Sequence, residues 1–127
     1  PRLAIDAPMR LDEITPEVVG GLERLAPFGN ANPRPLFEAP EVELAKAPAR
    51  MKDRHLSMTF RQEGRVFRAV AWRAADRLEF FTSHRGTFDL AYSVERNTFR
   101  GETTIELTLV DARRSGADAD VSIGGLP

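Results

Sequence analysis

Hydrophobic positions change their period near residue 36, and the change separates two kinds of structure. Ahead of it, Val18, Val19, Leu22 and Leu25 recur at helical spacing, which predicts one apolar face on a short amphipathic helix. Thr15 is placed to cap that helix, Pro16 to open its first turn, and Glu17 to face the positive end of its dipole. Ile14 and Val19 have the spacing of a hydrophobic staple, Gly20 and Gly21 weaken the helix, and Pro27 stops it near Ala26. Residues 3–6 read as a brief strand joining a preceding domain. Residues 27–35 carry Pro27, Pro33 and Pro35 with Gly29, Asn30 and Asn32, so they read as a connector that is neither helix nor strand.

Beyond the connector the period is two. Val42 and Leu44 alternate with Glu41 and Glu43, and Leu56, Met58 and Phe60 with Ser57, Thr59 and Arg61. Phe88, Leu90, Tyr92 and Val94 alternate with Asp89, Ala91, Ser93 and Glu95, and Ile105, Leu107 and Leu109 with Glu106 and Thr108. These runs predict half-buried strands. Residues 65–73 predict a further strand of open orientation, because Val66, Val70 and Trp72 share a side with Arg68 while Phe67, Ala69 and Ala71 occupy the other. Gln62-Glu63-Gly64 reads as a tight hairpin connection and Asn97-Thr98-Phe99-Arg100-Gly101 as a longer one, so both flanking pairs are expected to be antiparallel.

Residues 74–81 predict a short helix with Leu78 and Phe81 inward. The order strand, strand, strand, helix, strand, strand suits a mainly β fold: a five-stranded Greek-key barrel of the oligonucleotide-binding (OB) type, preceded by the N-terminal amphipathic helix. A plain antiparallel barrel or a small sandwich fits the same pattern. The expected division is residues 1–35 as strand, helix and connector, residues 36–114 as the barrel, and residues 115–127 as a Gly-rich, weakly acidic, flexible tail.

Catalytic chemistry is scarce on this framework. His55 and His84 are the only histidines, there is no cysteine, and no clustered Asp/His pattern suits a di-metal phosphoesterase. Ser57, Ser83 and Ser93 sit in no nucleophile elbow, and no Gly-rich phosphate loop joins a strand to a helix. Glu41 with Glu43, and Asp118 with Asp120, read as solvated carboxylates on an exposed strand face and in the tail.

Two segments suit a nucleic-acid strand instead. Arg50, Lys52, Arg54 and His55 gather before the second strand, where a loop borders the ligand groove of this fold, and Asp53 dilutes them. Asn97, Phe99 and Arg100 occupy the opposite rim, where an aromatic ring can stack a base and an arginine can hold phosphate, although a solvated hairpin tip is the plainer alternative. Arg68 and Trp72 on the third strand complete the candidate set. Trp72 reads as a stacking platform or, by preference, a plug in the barrel. Phe60, Phe67, Phe80, Phe81, Phe88 and Tyr92 read as core.

Composition changes this picture little. A chain of 127 residues with 42% hydrophobic content fits a single core. The net charge of −1 carries no polyanion footprint. Of the 18 basic residues only Lys46 and Lys52 are lysines, and arginine grips phosphate bidentately and stacks on bases; a GC-rich genome gives the same bias. The lack of cysteine suits a reducing compartment, so cytoplasm is the expectation, and no apolar run approaches the roughly 20 residues a membrane span needs. A first residue Pro1 suggests a piece of something longer.

The run Leu22-Glu23-Arg24-Leu25-Ala26-Pro27-Phe28-Gly29-Asn30-Ala31-Asn32-Pro33-Arg34-Pro35-Leu36-Phe37 resembles the helix and Pro-Phe-Gly-x-Gly-Asn-Pro-x-Pro-x-Phe connector of RecJ exonucleases, ahead of their C-terminal OB domain. Arg54-His55-Leu56, Ala69-Val70-Ala71-Trp72, Asp89-Leu90-Ala91-Tyr92 and Asn97-Thr98-Phe99-Arg100-Gly101 resemble later motifs of that family in the same order, and residues 105–111 its last strand.

The resemblance implies a parent 5′-to-3′ single-strand-specific DNA exonuclease of repair and recombination, with Mn²⁺ or Mg²⁺ in catalytic domains absent from this sequence. It implies that this segment holds and guides single-stranded DNA beside those domains, is inactive and without cofactor on its own, and has single-strand-binding protein as a candidate partner. A protein-docking or interdomain role is the alternative. The Asp-His-His signature and the other metal-ligand carboxylates of the family are absent. Ala31 stands where the family has glycine, so the connector there bends differently or carries strain if the position requires a positive φ.

Overall fold

The computed structural model of the protein describes residues 3–116. A two-residue strand β1 (Ala7–Pro8) precedes a helix α1 (Pro16–Glu23) and the barrel strands β2 (Phe37–Met51), β3 (His55–Gln62), β4 (Arg65–Ala71), β5 (Phe88–Phe99) and β6 (Glu102–Arg114). A 3₁₀ turn (Ala75–Arg77) runs into helix α2 (Leu78–Thr82) between β4 and β5. The circuit β2-β3-β4-β6-β5 returns to β2, and every pairing in it is antiparallel except β4 with β6, which meet at Ala69↔Leu107 and Val70↔Thr108. This closed five-stranded barrel with a helix between its third and fourth strands is the OB fold.

β2 closes the circuit because it bends. Pro40 and Pro48 cannot donate ladder bonds, and the register slips between Ala39 and Val42 and again between Lys46 and Ala49. Glu41 turns through φ 53, its N–H taken by Asp89 Oδ1 at 3.0 Å. The first half of β2 can then pair with β5 and the second half with β3.

The N-terminal segment seals one end of the barrel. Thr15 Oγ1 accepts the Val18 N–H at 3.1 Å as the cap of α1, and the stapled Ile14 and Val19 are both buried. Leu25 falls beyond the helix end and is exposed. Met9, Leu11, Ile14 and Val19 join Phe60, Phe67, Tyr92 and Leu109 in one core. Three side chains of the barrel hold the segment down. Gln62, itself buried, accepts the Leu11 N–H at 2.8 Å and donates to Pro40 O at 2.6 Å. Tyr92 Oη donates to Met9 O at 2.6 Å, and Arg65 donates to Ile14 O at 2.8 Å.

Residues 3–6 do not form the expected strand. Asp6 brackets Leu36 instead, donating its N–H to Leu36 O and accepting the Leu36 N–H on its carboxylate, both at 2.8 Å. Pairing follows at Ala7↔Phe37, so β1 adds to this chain's own barrel. The connector is neither helix nor strand, as expected. Asn32 Nδ2 ties it by donating to Leu25 O at 2.7 Å and Pro27 O at 2.8 Å, and Ala31 is not in the left-handed region. Ser115, read as the start of a free tail, is held by Asp89 Oδ1 at 2.7 Å; residues 117–127, with Asp118 and Asp120, lie outside the described residues.

Candidate nucleic-acid interface

The faces of β4 follow from alternation against the core. Phe67, Ala69 and Ala71 are buried inward, so Val66 and Arg68 point out, and Trp72, one residue past the strand, continues that outer face. Trp72 is 56% exposed and is therefore not a barrel plug. Leu56 pairs with Ala71 across β3, which sets His55 beside Trp72. Their rings meet nearly edge to face, 4.8 Å apart at 76°. Arg73 turns through φ 57, and its N–H donates to His55 Nδ1 at 2.8 Å. An accepting Nδ1 leaves the proton of the neutral imidazole on Nε2. The Ala75 N–H then donates to Arg54 O at 3.1 Å, a second tie across the same corner.

Around this corner the basic residues gather. Arg50 belongs to the end of β2 rather than to a loop, and the β2–β3 turn is confined to Lys52, Asp53 and Arg54, with Lys52 and Asp53 left-handed at φ 54 and 62. Arg50, Arg54 and Arg73 line an open depression of about 460 Å³ that Asp53 and Asp76 also border. Arg73 was not among the sequence-level candidates. Its only signal was its place after Trp72, since nothing marks an arginine that will adopt a positive φ.

Farther along the outer face, Arg68 is paired with Glu106 of β6 and donates to Met51 Sδ at 3.6 Å. Asn97 Nδ2 donates to the same Glu106 carboxylate at 3.4 Å, so Arg68, Glu106 and Asn97 form one polar chain across β4, β6 and β5. Glu106 was read only as the polar partner in an alternating strand. Asn97 and Phe99 are not loop residues: they pair with Thr104 and Glu102, and only Arg100 and Gly101, at φ 53 and 81, make the turn. Two successive positive φ values suit a two-residue hairpin turn, and the Thr98 and Thr103 hydroxyls, 3.0 Å apart, join the strands beneath it. Phe99 is 66% exposed under the Arg100 guanidinium, which lies 5.1 Å from its ring centroid.

Of the expected site residues, Arg50 and Arg54 thus line one depression and His55 packs on Trp72 at the adjoining ends of β3 and β4, with Lys52 in the turn between Arg50 and Arg54. Arg68 and Asn97 are linked through Glu106, and Phe99 and Arg100 stand at the hairpin tip. Among the described residues no three His, Cys, Asp or Glu side chains converge as a metal site, and no helix is long and apolar enough to cross a membrane.

The family described as the RecJ OB domain matches residues 5–111. The chain belongs to that family. Among solved structures, RecJ from Thermus thermophilus in complex with Mn²⁺ is 27% identical, with a TM-score of 0.63 over 91% of this chain. RecJ from the same organism in complex with Mg²⁺ is 29% identical, with a TM-score of 0.56 over 80%. The matched regions amount to only 16% and 15% of those RecJ chains. No curated protein matches the chain.

Proposed function

We propose that this OB domain binds single-stranded DNA along the outer face of β3, β4 and β6 and guides it in a RecJ-like 5′-to-3′ single-strand-specific exonuclease of DNA repair and recombination, in the cytoplasm. The observation that carries the reading is the exposed Trp72 indole, set against His55 and followed in the chain by Arg73, which with Arg50 and Arg54 lines an open depression at the same end of a closed OB barrel. An open aromatic surface accepts any base, and adjacent guanidinium groups accept the phosphates that follow it. Arg68, Asn97, Phe99 and Arg100 extend the track toward the hairpin tip. Hydrolysis, with its Mn²⁺ or Mg²⁺, is assigned to the catalytic domains of the parent chain, so this chain alone is expected to leave DNA uncut.

Fluorescence anisotropy of a labelled single-stranded oligonucleotide at low and moderate salt, with the duplex as control, tests the reading. Single-strand-preferring, salt-weakened binding is the expected result. Changing Arg50, Lys52 and Arg54 to alanine should flatten the log–log salt dependence by up to about 2, since each phosphate contact on a single strand contributes about 0.7. A folded chain that binds no oligonucleotide at low salt would move the assignment to docking, on the catalytic domains or on single-strand-binding protein.

A further inference from the structure

A histidine in a basic cluster invites the reading that it offers charge to phosphate. The geometry at His55 argues for a different task. Its Nδ1 is already committed as acceptor to the Arg73 N–H at 2.8 Å, and its ring lies edge to face with Trp72 at 4.8 Å. Both groups it touches belong to the proposed binding corner. Arg73 depends on this contact most. Its φ of 57 is a conformation that a non-glycine residue adopts at a cost, so the surrounding bonds must hold it there. Two of them do so, the Arg73 N–H to His55 and the Ala75 N–H to Arg54 O. That turn places the Arg73 guanidinium on the depression shared with Arg50 and Arg54.

We infer that His55 is a positioning residue: it acts on the bound strand through Trp72 and Arg73, fixing the indole as a stacking platform and the Arg73 turn that follows it, and does not itself hold phosphate. The inference rests on the single-strand-binding reading for its consequence, but the corner it describes is a property of the free chain.

Substitutions that exchange charge for geometry separate the two roles. His55→Lys introduces a permanent cation and removes both the acceptor and the ring. His55→Asn removes any cation but carries an oxygen on Cγ, where Nδ1 stands, able to take the Arg73 N–H. A phosphate contact predicts that the lysine variant binds as tightly as the parent and the asparagine variant is weakened. A positioning role predicts the reverse order: the lysine variant loses about fivefold or more in affinity for single-stranded DNA, the lower range of one base–aromatic stack, and the asparagine variant recovers most of it.

Trp72 is the chain's only tryptophan, so its steady-state fluorescence anisotropy reads the platform without any DNA present. It should fall in the lysine variant, where the indole gains motion, and lie between the two in the asparagine variant. Matched circular-dichroism melts confirm that the variants are folded, as expected for a partly exposed residue. Undiminished affinity in the lysine variant, or an unchanged Trp72 anisotropy, overturns the inference. If the parent binds no single strand, the proposed function falls, and the anisotropy alone decides whether His55 positions Trp72.

Discussion

Trp72 and Phe81 serve opposite ends within the same fold. Phe81 is fully buried, whereas Trp72 exposes more than half its surface on a face where the core asks nothing of it. Phe81→Ala is expected to cost about 3–5 kcal/mol in urea denaturation, and Trp72→Ala to leave stability within about 0.5 kcal/mol. In the oligonucleotide titration, Trp72→Ala should instead lose about 1–3 kcal/mol of binding. Asp89 gives a residue-scale prediction in pH. Burial pushes its carboxyl up, but hydrogen bonds from the Glu41 N–H, Ser115 and Arg113, with the Arg113 charge, together hold it below the ordinary value of 3.8. A lowered value in the folded state means that the ionised carboxylate adds stability above pH 3.8, and that this is lost as pH falls below it. Asp89→Asn should therefore unfold more easily than the parent at pH 7, by up to about 1 kcal/mol as for a partly exposed ion pair, with the gap closing in acid. Equal pH profiles in the two melts would remove Asp89 from the account.

Elements differ in how far their residues announce them. α1 was legible because Thr15, Pro16 and the Ile14–Val19 staple are local signals, each acting within one turn. β2 was legible only at Val42 and Leu44, since Pro40, Pro48 and the left-handed Glu41 interrupt the alternation where the strand changes partner. The β5–β6 hairpin misled in the other direction. Asn97, Arg100 and Gly101 read as a long loop, yet the ladder continues to Phe99↔Glu102 and leaves a two-residue turn. The N-terminal 3₁₀ turn (Leu11–Glu13) was invisible, because its anchor, Gln62, lies 51 residues away from Leu11. That anchor makes an element-scale prediction. Gln62→Ala orphans the buried Leu11 N–H and should cost about 1–3 kcal/mol, with faster hydrogen exchange at Leu11 and Ile14 while the β3–β4 ladder stays protected. Slowed or unchanged exchange at Leu11 would mean that another group takes over its N–H.

At the scale of the whole molecule, the order of strands and helix pointed to an OB barrel, but closure was not readable from alternation alone. It depends on β4 meeting β6 in parallel across a contact of two residue pairs, and on β2 turning at its bulges, both set by tertiary geometry. The candidate site has the same character. Arg50, Arg54, His55 and Trp72 were visible as residue types, but Arg73 and Glu106 join them only through the turn after β4 and the neighbouring strand. The sequence also placed its break at residue 36, whereas the core runs through it. Met9, Leu11, Ile14 and Val19 pack with the barrel interior, and Gln62, Tyr92 and Arg65 bond to the backbone of that segment. Burying a large apolar side chain contributes about 1.5–3 kcal/mol, so these four supply about 6–12 kcal/mol. A chain begun at residue 36 should therefore lose its cooperative thermal transition and bind a hydrophobic dye, with the Tyr92 hydroxyl left without its acceptor. A sharp transition at the parent's midpoint would instead make residues 3–35 an appendage, and a barrel that stands alone would then be the unit that carries the binding face.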